Sequence, residues 1–112
     1  MKNPTIKNKT YTTDTVELLL NFAKDAEYFD GHFDGFAVLP GVVQIDYVMK
    51  YAQEYLGIKP IISNINKLKF SNIIKPDMDI SLKIDYSKDL NKITFKYFID
   101  DSIYSSGNIK LK

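Results

Sequence analysis

The sequence predicts an α+β domain in which one antiparallel sheet curves around a single long helix. Three observations carry that prediction. Residues 40–56 repeat apolar side chains at helical spacing and are apolar on nearly every side, so this helix is expected to be enclosed by other structure. Several other segments alternate apolar and polar residues, the pattern of strands with one buried face. The connections between the later strands are only a few residues long, which suits antiparallel neighbours. At 112 residues the chain is expected to form one domain, 1–112.

The elements follow in order. Residues 1–13 are polar and read as an arm or a weak first strand. Residues 15–22 place Val16, Leu18, Leu20 and Phe22 on one face, with Leu19 suggesting partial cover on the other. Residues 25–39 hold Tyr28, Phe29, Phe33 and Phe36 between glycines, so they form an ordered loop rather than a linker. The helix then runs over 40–56, with Pro40 in its first turn and Gly57 just past its end. Four strands are expected after it, as a meander over 65–73, 78–86, 93–99 and 102–111, the last interrupted at Gly107. In the first of these, Leu68 and Phe70 face inward.

Composition excludes several classes of function. Fifteen Lys face 14 Asp and Glu, leaving a formal charge of +1, and a nucleic-acid binder usually carries a clear basic excess. There is no Arg, hence no bidentate guanidinium clamp. There is no Cys, so disulfides, thiolate metal sites and a cysteine nucleophile are out. One His is too few for a multi-histidine metal site within a chain. No apolar run reaches the roughly 20 residues of a membrane span. Residues 1–13 do not read as a signal peptide, and the expected compartment is the cytoplasm.

Chemistry-bearing residues converge between positions 31 and 46. His32 stands in the aromatic loop. Pro40-Gly41 opens the helix, where the first amides have no intrahelical partner. Asp46 falls inside the enclosed helix beside Val42, Met49 and Gln53, where desolvation would favour its neutral form. On residue type alone His32 reads equally as a turn residue, and Asp46 as half of an i,i+4 ion pair with Lys50. Period and composition do not name a reaction.

The run from Phe29-Asp30-Gly31-His32-Phe33 to Leu39-Pro40-Gly41-Val42-Val43-Gln44-Ile45-Asp46 resembles the active-site segment of hotdog-fold 3-hydroxyacyl-[acyl carrier protein] dehydratases. That family carries Gly-His-Phe, then Pro-Gly, then an acid on the central helix fourteen positions after the His, the separation of His32 and Asp46. Asn66 to Phe70 and Lys75-Pro76-Asp77 are similar to the family's strand and Pro-Gly-Asp turn. Tyr104-Ser105-Ser106-Gly107 and Val43 to Asp46 look most like the ApeI-like branch associated with aryl polyene biosynthesis. The likeness covers roughly residues 15–112. The chain departs from the common Gly-His-Phe-Pro-Gly at Asp34, and has Lys50 where Gln is frequent.

The resemblance implies a hotdog fold and dehydration of (3R)-3-hydroxyacyl carrier-protein thioesters to trans-2-enoyl thioesters. In those terms His32 removes the α-proton, Asp46 protonates the departing hydroxyl, and the Gly41 N–H holds the developing enolate oxygen. No metal or organic cofactor is implied. The site would form across a homodimer, or a higher oligomer of dimers, His32 of one protomer meeting Asp46 of the other. Phe33, Phe36, Val42 and Met49 would line the acyl tunnel, each of them equally readable as core. The implied partner is an acyl carrier protein docking at Lys67, Lys69 and Lys75, residues that also read as a solvated strand face. A hotdog acyl thioesterase using Asp46 to position water remains open, as does a silent acyl-binding subunit with Lys50 and Asp46 as a structural pair.

Overall fold

The computed structural model describes residues 2–29, 37–59 and 61–112. Six strands form one sheet: β1 (Thr5–Tyr11), β2 (Thr15–Asn21), β3 (Ile62–Phe70), β4 (Asp79–Ser87), β5 (Lys92–Ile99) and β6 (Ser102–Leu111). Their order is β1-β2-β4-β5-β6-β3, and every neighbouring pair is antiparallel. A single long helix, α1 (Gly41–Leu56), packs on the inner face against β2 and β4.

The alternating strands bury one face each. Val16, Leu18 and Leu20 of β2, Ile80, Leu82 and Ile84 of β4, and Ile93, Phe95 and Tyr97 of β5 are fully or almost fully enclosed. They meet Val43, Tyr47, Val48, Met49, Tyr51 and Ala52 of α1. β1 is a true strand and not an arm, although most of it is exposed. Its backbone pairs with β2, which a polar composition does not prevent.

Four expectations need correction. The strands after the helix are not a four-strand meander, because β3 lies at the far edge beside β6. Both sides of β4 are taken by β2 and β5, so the chain from β3 crosses the end of the sheet through residues 71–78. This crossover is tied down as it passes. The Ser71 and Asn72 amides donate to the Tyr104 carbonyl, Leu39 N–H donates to Ile74 O at 2.8 Å, and Asp77 N–H donates to Phe22 O at 2.8 Å. Second, Pro40 precedes the helix in an extended conformation (ψ 146°) instead of sitting in its first turn. Third, β6 runs unbroken through Gly107, whose missing side chain is space taken by Phe95 and Leu68. Fourth, the helix is not enclosed all round: Val42, Asp46, Lys50, Gln53 and Glu54 form an exposed stripe along its outer side.

Gly57 ends the helix as expected, in the left-handed conformation (φ 67°), its N–H donating to the Gln53 carbonyl. Asn91 and Asp100 take left-handed backbone at the β4–β5 and β5–β6 turns, which their short polar side chains tolerate.

Candidate active site

The start of α1 borders a groove of about 280 Å³, lined by residues 38–41, Gln44 and residues 70–74. It shares Ser71, Asn72 and Ile73 with a wider depression of about 510 Å³ that reaches Lys75, Met78 and Tyr104. The groove therefore lies between the helix N-terminus and the crossover. A Cβ on Gly41 would lie 2.7 Å from Cζ of Phe70, closer than such atoms pack, so the Phe70 ring covers a spot only glycine leaves free.

Pro40 offers no side-chain cap, and the N–H groups of Gly41 and Val42 have no acceptor among the described residues. Two unpaired amides at the positive end of a helix suit an oxygen that gains negative charge. The turn before them is held from the core side. Gln44, only 4% exposed, donates from Nε2 to Leu39 O at 3.0 Å. Its Oε1 accepts from the Ser105 hydroxyl at 2.6 Å, and its backbone carbonyl accepts from Tyr97 OH at 2.7 Å. Ser105 and Tyr97 are buried too. Sequence reading missed this network. The available signal was a polar residue at position 44, on the stripe that also carries Val48, Tyr51 and Ala52.

Asp46 is exposed, against the expectation of burial. Position 46 belongs to the outer stripe, one turn after Val42 (68% exposed) and one turn before Lys50. Asp46 and Lys50 make no ion pair with each other or with any described residue, consistent with the few tenths of a kcal/mol that such a solvated i,i+4 pair is worth, about 0.3. Met49 packs into the core. His32, Phe33 and Phe36 lie outside the described residues. The chain enters that segment through a short 3-10 turn, Glu27–Phe29, whose Phe29 is buried, and leaves it toward the buried Leu39. Lys67, Lys69 and Lys75 are exposed, and Lys67 sits at a bulge in β3 with left-handed backbone (φ 53°).

Behind the helix lies an aromatic cluster. Tyr47 stacks on Tyr51, and Phe22 and Tyr28 meet Tyr47 edge-on. Burial pushes the phenols of Tyr28, Tyr47, Tyr51 and Tyr97 up, so all four are neutral at neutral pH. Among the described residues, the buried Tyr28 hydroxyl has no hydrogen-bond partner.

β3 is an edge strand with exposed apolar side chains: Ile62, Leu68 (39% exposed) and Phe70 (50% exposed). Leu68 and Phe70 lie on the inner side, as the alternation predicts, yet both stay partly exposed, with Phe70 meeting only the first residue of α1, Gly41. An unpaired edge with a greasy flank is a natural pairing surface. Among the described residues, no cluster of three His, Cys, Asp or Glu side chains could hold a metal ion, and no helix is long and apolar enough to cross a membrane.

One antiparallel six-stranded sheet packed around one long helix defines a hotdog-fold protein. The comparisons agree. The chain aligns with 97% of a subunit of the dehydratase heterocomplex ApeI:P from Xenorhabdus doucetiae, with 98% of its own residues covered, a TM-score of 0.89 and 33% identity. It matches a structure of an uncharacterized protein from Erwinia carotovora subsp. atroseptica with a TM-score of 0.75 and 34% identity, covering all of this chain and 96% of that one. A 3-hydroxyacyl-[acyl-carrier-protein] dehydratase FabZ of Fusobacterium nucleatum subsp. nucleatum is 28% identical over 96 residues, covering 79% of this chain and 68% of the relative. Residues 7–108 match the ApeI-like family, described as ApeI dehydratase, and the chain belongs to that family.

Proposed function

We propose that this chain dehydrates (3R)-3-hydroxyacyl thioesters carried on an acyl carrier protein, giving trans-2-enoyl thioesters for fatty-acid or aryl polyene synthesis. The observation that carries the reading is the pair of unpaired amides at Gly41 and Val42, opening on a groove in a member of a dehydratase family. The α-proton of a thioester is weakly acidic, so its removal needs a base and a place for the enolate charge. His32 is the base. The Gly41 amide receives the thioester oxygen. Hydroxide leaves poorly without a proton, and Asp46 in its acid form supplies one. The α-proton goes to the imidazole and the Asp46 proton leaves with the hydroxyl as water, so the elimination balances without a cofactor.

Asp46 is solvated in the single chain. A second copy paired along β3 would bring new surface toward the exposed stripe of α1. We infer a homodimer through the β3 edge, with each site shared between protomers, Asp46 facing His32 of the second copy. Phe33, Phe36, Val42 and Met49 then line or back the acyl chain, and the exposed Lys67, Lys69 and Lys75 meet the acidic carrier protein in the cytoplasm.

The test is turnover of a 3-hydroxyacyl carrier-protein thioester, followed by loss of water and by free thiol. The expected result is reversible formation of the 2-enoyl thioester without thiol release. Thiol release would make the chain a thioesterase, and no turnover at any chain length a silent subunit.

A further inference from the structure

A helix that offers its first amides to a ligand cannot also cap them with its own side chains. The start of α1 then needs another anchor, and Gln44 supplies it. Its side-chain amide has a single workable orientation. Leu39 O can only accept, so the Gln44 NH₂ faces it, which leaves Oε1 to Ser105 and forces that hydroxyl to donate. The Leu39 N–H is bound on the other side, by Ile74 of the crossover. Leu39, two residues before Gly41, is thus held at both its N–H and its C=O, while the Gln44 N–H reaches Pro40 O at 3.1 Å and Tyr97 OH holds the Gln44 carbonyl. None of these bonds uses the Gly41 or Val42 N–H.

We propose that Gln44 and Ser105 are positioning residues for the dehydration. They fix the Leu39–Gly41 turn against β6, and so set where the Gly41 amide points. A buried amide side chain is a costly choice at a core position, since an apolar residue of similar size fills it without needing two partners. Stability alone does not ask for it. The aim of an oxyanion donor does, because misplacement by about 1 Å is worth about a hundredfold in rate. The proposal rests on the dehydratase reading and adds to it two residues that act through the Leu39–Gly41 turn rather than on the reacting atoms.

The test uses the full chain and four variants: Gln44→Met, Ser105→Ala, Ser105→Thr and the Gln44→Met/Ser105→Ala double. Each is assayed for kcat and KM on the 3-hydroxyacyl carrier-protein thioester, with circular dichroism reporting the folded fraction. Gln44→Met and Ser105→Ala are expected to lower kcat about tenfold or more, with KM changed less than about threefold. The double variant is expected to be no worse than the more damaging single change, since both break one network. Ser105→Thr keeps a hydroxyl and is expected to keep most of the rate. Folded variants with kcat within about twofold of the parent would overturn the proposal. So would a rate loss that merely follows the unfolded fraction, or equal losses in Ser105→Ala and Ser105→Thr. A parent chain that does not turn over the thioester at all fails the dehydratase reading itself, and the proposal falls with it.

Discussion

A single side chain decides much at the candidate site. His32→Ala is expected to slow interconversion of 3-hydroxyacyl and 2-enoyl thioesters by about a hundredfold or more, the usual scale of a general base, measured by steady-state turnover. Asp46→Asn should match it without loss of fold, since position 46 is solvated in the single chain. At Gly41 the two demands of fold and function separate. An added methyl would press on the Phe70 ring, which is half exposed and free to swing outward. Gly41→Ala is therefore expected to melt within a few degrees of the parent while losing turnover, because both the methyl and the displaced ring intrude on the groove. Tyr28→Phe runs the other way. Its hydroxyl is buried and unpaired, so removing it should raise stability by about 1 kcal/mol in urea unfolding. A drop of that size would mean that the hydroxyl has a partner after all.

Among the elements, β3 and α1 carry what the sequence could and could not express. The period-two runs located β2, β4, β5 and β6 to within a residue or so, because alternation marks a buried face directly. The helix was equally plain. The place of β3 in the sheet was not, because alternation says which face is buried and nothing about which strand lies alongside. Its neighbour is fixed by the crossover's ties to Tyr104, Leu39 and Phe22, contacts remote in sequence. The exposed stripe of α1 escaped notice for a related reason: Val42 looks like core in a one-dimensional pattern. In the proposed site, the spacing of His32, Gly41 and Asp46 was readable as a motif, whereas Gln44 and Ser105 are 61 positions apart and meet only in the fold. The edge role of β3 has its own test. Leu68→Glu, placed on a half-exposed inner position, is expected to leave the fold intact and shift the chain toward monomer in sedimentation velocity. An unchanged sedimentation coefficient would exclude β3 as the pairing edge.

For the molecule as a whole, stability depends on keeping the buried phenols neutral. Burial raises the pKa of Tyr28, Tyr47, Tyr51 and Tyr97 above the ordinary phenol value, so the folded state holds these protons more tightly than the unfolded chain. Stability from this source is fully present below about pH 10 and falls as pH rises beyond it. The urea midpoint should decline from about pH 10 upward, and less steeply in Tyr51→Phe, which removes one of the buried phenols. The proposed catalysis uses instead a dimer whose two halves complete each other's sites. Co-expression of His32→Ala and Asp46→Asn chains examines that directly. Half of randomly paired dimers are mixed, and in each mixed dimer one of two shared sites is intact. The mixture is expected to recover about a quarter of the parent's turnover, although each variant alone is nearly inactive. A mixture as inactive as its components, with the mixed dimer present, would contradict the shared sites.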